Sequence, residues 1–167
     1  MPEATVERKT TQRKQVDDPV WKTWIAAVLW LGIIAVESTK FLSSENTGSL
    51  LYKILTGIVG AIDVDSFEVW HHYLRKTGHV VGYAVLSWLL FRAWRATLPV
   101  LKNASWAFRW ALVSFLMTAM VASLDEWHQS FIPSRTGTPW DVLLDSCAAL
   151  SVQLVIYAVL RNRSNQM

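Results

Sequence analysis

The sequence holds a single cysteine, Cys147, so no internal disulfide can form, and its place inside an apolar run points to packing rather than redox chemistry. Charge is also scarce: 17% of the residues are Asp, Glu, Lys or Arg, against about 25% in ordinary soluble domains. There is no G-x-S-x-G, no P-loop, no G-x-G-x-x-G, no H-E-x-x-H and no paired-cysteine spacing, so the usual signatures of serine hydrolases, nucleotide sites and zinc sites are missing. No apolar core precedes Trp21, and residues 1–19 therefore do not read as a cleavable signal peptide; a disordered cytoplasmic tail is expected there.

What fills the chain is apolar. Hydrophobic residues make up 52% of it, and they gather in four runs: Val20 to Val36, Gly78 to Phe91, Trp106 to Leu124 and Val142 to Leu160. A hydrocarbon layer of about 30 Å needs roughly 17–25 helical residues, which each run reaches with its flanks. The runs are continuous rather than alternating, which excludes a β-barrel. The chain is rich in tryptophan, and Trp21, Trp24, Trp94, Trp106 and Trp140 stand near run ends, where an amphipathic ring suits the headgroup layer.

Lys and Arg set the orientation, because cationic loops next to a span are held in the cytoplasm. Arg8, Lys9, Arg13, Lys14 and Lys22 precede the first run, Arg92, Arg95, Lys102 and Arg109 flank the second connection, and Arg161 and Arg163 follow the last run. Both termini are expected inside. The longest connection, on the outer side, carries LLYKILTGIVGAI, with Leu51, Ile54, Leu55, Ile58 and Ile62 on one stripe; this reads as an interfacial or re-entrant helix interrupted by Gly57 and Gly60. A second short helix, FEVWHHYLRK, is expected to start from an Asp65 or Ser66 cap and run into the second span.

Polar groups inside spans are costly, so their placement is informative. Lys76, His79 and Tyr83 share a face at the outer end of span two. Between spans three and four, SLDEWHQSFIPSRTGTPWDVLLD gathers Asp125, Glu126, His128, Gln129, Arg135, Asp141 and Asp145. Asp145 lies about one turn into the membrane and needs a partner, for which Arg135, Lys76 and His79 are candidates. Further down span four, Asp145, Ala149 and Gln153 line one face, with Ser146, Ala148 and Ser151 beside them, predicting a close, partly polar helix contact; Gly32 is a candidate for the same role in span one.

The pattern K-x-x-H-x-x-x-Y (Lys76, His79, Tyr83), followed by D-E-x-x-Q-x-F-x-P-x-R and a later D (Asp125, Glu126, Gln129, Phe131, Pro133, Arg135, Asp141), resembles the VanZ-like family. The segment Phe41 to Glu45 is similar to that family's Ser-Ser stretch. Two positions depart from the family pattern: Ser134 stands where the family usually has Gly, and Asp145 and Ala148 stand where it has an Asn and a Gly. The resemblance implies a cell-envelope setting, since the family is named for a membrane protein tied to reduced teicoplanin susceptibility, a form of antibiotic resistance.

The sequence thus predicts an all-α polytopic membrane protein. Four transmembrane helices fill residues 20–161, an interfacial helical segment separates spans one and two, and residues 162–167 form a cytoplasmic tail. The expected setting is the cell inner membrane. Three readings of the outer polar cluster stay open. One is a latch tying span ends together. A second is a pocket for an amphiphilic or lipid-linked anion, with Lys76, His79, Tyr83, Asp125, Glu126, Gln129, Arg135, Asp141 and Asp145 as its residues. The third is a hydrolase or transferase acting on a lipid-linked substrate, with Glu126 or Asp125 as base and His79 as acid. A structural scaffold for other membrane proteins is a further alternative. Membrane lipid or a lipid-linked ligand is the expected partner. No nucleic-acid binding is expected, because membrane orientation explains the basic residues. No cofactor is expected, and no metal, although Asp125, Glu126, His128, His79 and Asp141 are of ligand type; His71 and His72 read as an interfacial pair.

Overall fold

With no water in the hydrocarbon layer to hydrogen-bond the backbone, apolar runs of this length satisfy their own N–H and C=O groups by coiling into helices. The computed structural model describes residues 19–39, 44–98, 106–133, 135 and 137–164, and these are all-helical: α1 Val20–Glu37, α2 Ser44–Val59, α3 Val64–Thr97, α4 Phe108–Gln129 and α5 Pro139–Ser164. The expected N-terminal tail, apart from Pro19, lies outside the described residues, as do Phe41–Ser43 of the Ser-Ser stretch and Ser134. The first residues of the expected C-terminal tail extend α5.

α1, α4 and α5 are long and apolar enough to cross a membrane. The fourth expected span, the later part of α3, does not qualify by composition, because polar and charged residues from Lys76 to His79 and again at Arg92 and Arg95 bracket its apolar stretch. α3 packs against α1, α4 and α5. One core cluster joins Ala27 and Ile34 of α1, Tyr83, Leu86, Leu89 and Leu90 of α3 and Ala122 of α4. The outer faces stay greasy, with Ile25, Leu29 and Ile33 on α1, Leu112, Leu116 and Met120 on α4, and Leu150, Leu154 and Val155 on α5 exposed. A water-soluble monomer rarely shows apolar patches of that extent.

Contacts fix the helix directions. Trp24 of α1 donates its indole N–H to Thr97 Oγ1 at 2.8 Å, Trp110 of α4 donates to the Leu98 carbonyl at 2.6 Å, and Trp106 lies 4.9 Å from the Tyr157 ring of α5. At the other end Ser38 meets His128 at 3.1 Å and Lys76 pairs with Asp141. α1 and α4 therefore run one way, α3 and α5 the other. Lys22, Arg92, Arg95, Arg109 and Arg161 fall at one end of the bundle and the polar cluster at the opposite one.

Several local expectations change. The short helix expected to run into span two does so, as one continuous α3, but its cap is Asp63 rather than Asp65 or Ser66: the Asp63 carboxylate accepts from the Ser66 N–H at 2.9 Å because the helix starts earlier, at Val64. α2 begins at Ser44 and passes through Gly57 without a break, ending only at Gly60, whose φ of 95° lies in the left-handed region open to glycine. Its apolar stripe splits, with Leu51 and Leu55 half-buried and Ile54 and Ile58 exposed. Gly32 faces outward and mediates no helix contact among the described residues; Ala27 does that work in α1. Cys147 also points outward rather than into the packing, because the buried face of α5 is set by Asp145, Ala149 and Gln153.

Candidate functional site

At the polar end a cavity of about 930 Å³ opens between α2, α3, α4 and α5. Lys76, His79, Glu126, Gln129, Arg135, Asp141 and Asp145 line it, so most of the sequence-predicted residues converge there. Tyr83 and Asp125 do not line it. They sit behind the wall, where the buried Tyr83 hydroxyl donates to Asp125 Oδ2 at 2.7 Å. His128 lies apart on an exposed face, against Ser38.

The loop after α4 builds one wall. Ser130 closes the last turn onto the Glu126 carbonyl at 3.0 Å, and Phe131, Ile132 and Arg135 continue with short-range bonds. The chain can press back on α4 only because Gly137 has no side chain; a Cβ there would strike the Glu126 carbonyl oxygen and stand 3.0 Å from the Ser130 nitrogen. The Thr138 N–H is thereby delivered to Glu126 Oε2 at 3.0 Å. Thr138 also caps α5, its hydroxyl accepting from the Asp141 N–H at 3.2 Å and donating to Asp141 Oδ2 at 3.0 Å, with Pro139 in the first helical position. The Thr-Pro-x-Asp signature was in the sequence and marks the helix start.

The cations have distinct partners. Lys76 is tied to Asp141. Arg135 reaches across to α1 and donates to the carbonyls of Glu37 at 2.6 Å and Thr39 at 3.3 Å, satisfying backbone oxygens at a helix C-terminus, where positive charge is favoured. Burial holds the Arg135 guanidinium below its ordinary range, with the neighbouring Arg75 acting in the same direction. Asp145, 1% exposed, faces His79 Nδ1 at 3.5 Å. Of its three candidate partners His79 is the one that meets it.

Sequence reasoning passed over Arg75. It is spaced four residues from both His71 and His79, so all three share a face of α3, and all three line the cavity. Among the described residues its guanidinium makes no hydrogen bond or ion pair. Burial lowers its pKa, and the carboxylates of Glu126 and Asp141 partly offset that. His71 is buried rather than interfacial: it stacks on Phe67 with ring centroids 5.7 Å apart and covers Gly48, where a Cβ would come within 3.2 Å of the ring. Burial, reinforced by Arg75, lowers the His71 pKa. Gln129 Nε2 is buried on the same wall without a hydrogen-bond partner among the described residues. One ligand atom each from His79, Glu126 and Asp145 lies within 4.8 Å of the other two.

Below the cavity the expected polar contact of α5 is present. The Gln153 amide donates to Ser87 Oγ at 2.7 Å and to the Ser87 carbonyl at 3.1 Å, while the Ser87 hydroxyl donates to the Ala149 carbonyl at 3.1 Å. These helices approach closely because Ala149 is fully buried.

A family model described as VanZ/LLP1 matches residues 23–161, from the first turn of α1 to the last turns of α5. The chain belongs to the VanZ/LLP1 family. No curated protein and no solved structure matches it. The matched span of this VanZ/LLP1 protein takes in every residue of the cavity wall, and the motif residues Lys76, His79, Glu126, Gln129, Arg135 and Asp141 converge on that one space from three helices and a loop.

Proposed function

We propose that this VanZ/LLP1 protein is a four-span protein of the cell inner membrane, termini inside, that binds an amphiphilic or lipid-linked anion in the outward-facing polar cavity. The resemblance to the VanZ-like family supports reading that role as one in the cell envelope, including glycopeptide tolerance. The observation that carries the binding reading is Arg75, a half-buried guanidinium with no hydrogen bond or ion pair among the described residues, set in a wall that also offers Gln129 Nε2, likewise without a hydrogen-bond partner among them. Five planar donors in a partly dry site suit a phosphate or carboxylate head. Tyr52, Phe67 and Leu144, in the same wall, suit an acyl or prenyl tail. Lys76 and Arg135, engaged by Asp141 and by α1, act in this reading as ties that shape the cavity.

The test uses phosphatidic acid and the matching diacylglycerol, titrated into the full chain in detergent micelles. Arg75→Ala is expected to weaken phosphatidic acid binding about tenfold or more, the equivalent of the roughly 1.5–3 kcal/mol that a hydrogen bond to a charged group contributes. Diacylglycerol, which has the tails without the phosphate, is expected to compete poorly. Unchanged affinity in Arg75→Ala, or equal binding of the two lipids, would falsify the reading. A second reading, a hydrolase or transferase acting on a lipid-linked substrate, is favoured by His79 and Glu126 facing one cavity. Its mark is cleavage of the bound phosphate ester by the wild type and not by Glu126→Gln.

A further inference from the structure

We propose that His79, Glu126 and Asp145 form a site for a divalent metal ion of the zinc or manganese class in the wall of the cavity. Their ligand atoms lie within 4.8 Å of one another. Bonds to zinc are about 2.0–2.2 Å for these donors, so closing onto an ion asks each side chain to move by about 1 Å or less. The three come from α3, α4 and α5, and only the assembled bundle brings them together.

Asp145 supplies an independent observation. It is 1% exposed, and neither of its carboxylate oxygens has a hydrogen-bond partner among the described residues. A carboxylate taken out of water stays ionised only when paired or coordinated. The group nearest to pairing it is the His79 imidazole at 3.5 Å, which faces one oxygen and leaves the other. Lys76 is held by Asp141 and Arg135 bonds to α1, so neither supplies the missing partner. An ion between Asp145, His79 and Glu126 does.

The remaining features are those of a ligand set. Glu126, 6% exposed, is oriented from outside by the Thr138 N–H on Oε2 at 3.0 Å, the kind of outer contact that fixes a metal-binding carboxylate. One imidazole nitrogen with two carboxylates suits zinc, manganese or ferrous iron, whereas calcium and magnesium favour all-oxygen shells. All three residues line the cavity, so three protein ligands leave coordination positions that face it. The inference stands apart from the anion reading, since Arg75 contributes no ligand.

The full chain, purified in detergent and stripped with a chelator, is titrated with Zn²⁺ and with Mn²⁺, and bound metal is counted by mass spectrometry after desalting. About one equivalent per chain is expected for the wild type, with affinity falling about tenfold or more in Asp145→Asn and His79→Gln. The amide at 145 is nearly isosteric, so the fold is kept while a charged ligand is lost. Absence of stoichiometric metal in the wild type overturns the proposal. So does a loss of equal size in Arg75→Ala. A Co²⁺ titration of the unmutated chain needs no variant: intense visible bands of a four- or five-coordinate site support the proposal, and the weak spectrum of hydrated cobalt refutes it.

Discussion

Gly137 shows how one absent side chain positions a charged one. A Cβ at this position meets two backbone atoms of α4, and backbone cannot swing aside as a flexible side chain can. Gly137→Ala is therefore expected to push the loop off α4, lengthen the Thr138–Glu126 bond and destabilise the protein by about 1–3 kcal/mol, in line with other overpacked sites. Gly32→Ala is the contrast, because nothing lies within 4 Å of the added methyl and alanine is the better helix former. Thermal unfolding of both variants in the same detergent checks the pair: a stability loss confined to position 137 is expected, and equal behaviour would contradict the steric account. The single cysteine teaches a related lesson, since an apolar sequence context did not place Cys147 in the packing.

Between elements, α3 and α5 lie parallel and meet in a ladder of polar pairs: Lys76 with Asp141, His79 with Asp145, and Ser87 with Ala149 and Gln153. Both the four-residue spacing on α5 and the matching steps on α3 follow from helical geometry. The ladder explains why α3 tolerates more polarity than its neighbours, for its polar side chains are answered by α5 and α4. Ser87→Ala removes two of these bonds and leaves the buried Gln153 amide with the backbone contact alone. Interhelical hydrogen bonds in membranes average about 0.6 kcal/mol with a ceiling near about 1.7, so a loss in that range is expected in a denaturing-detergent titration. A loss several times larger would mean that Ser87 holds more than this one contact.

For the whole molecule, the separation of charge between the two ends predicts topology. The basic end carries Lys22, Arg92, Arg95, Arg109 and Arg161, and cationic flanks are retained inside. In a Cys147→Ser background, cysteines placed at Lys53, Arg95 and Trp140, all exposed, report on three connections. With four spans, a membrane-impermeant maleimide added to intact cells labels Lys53→Cys and Trp140→Cys, whereas Arg95→Cys reacts only after permeabilisation. If α3 did not cross, Lys53→Cys and Arg95→Cys would report the same side. Packing of α3 antiparallel to α1, through Trp24 on Thr97 and Trp30 on the Gly82 carbonyl, favours the crossing.

Much was legible in the sequence, because hydrophobic run length and helical period are local properties. The all-α class, the shared face of Lys76 and His79, and the polar face through Asp145, Ala149 and Gln153 all follow from spacing along one chain segment at a time, and the family was visible as a resemblance in the motif residues. The tertiary structure decided what spacing leaves open, which is how each helix is rotated and shifted against its neighbours. That rotation buried His71, turned Gly32 and Cys147 outward, left Arg75 with no hydrogen bond or ion pair among the described residues, and set Asp125 aside on Tyr83 while bringing Glu126 to His79 and Asp145. A helix sequence fixes which side chains share a face; only packing fixes what that face meets.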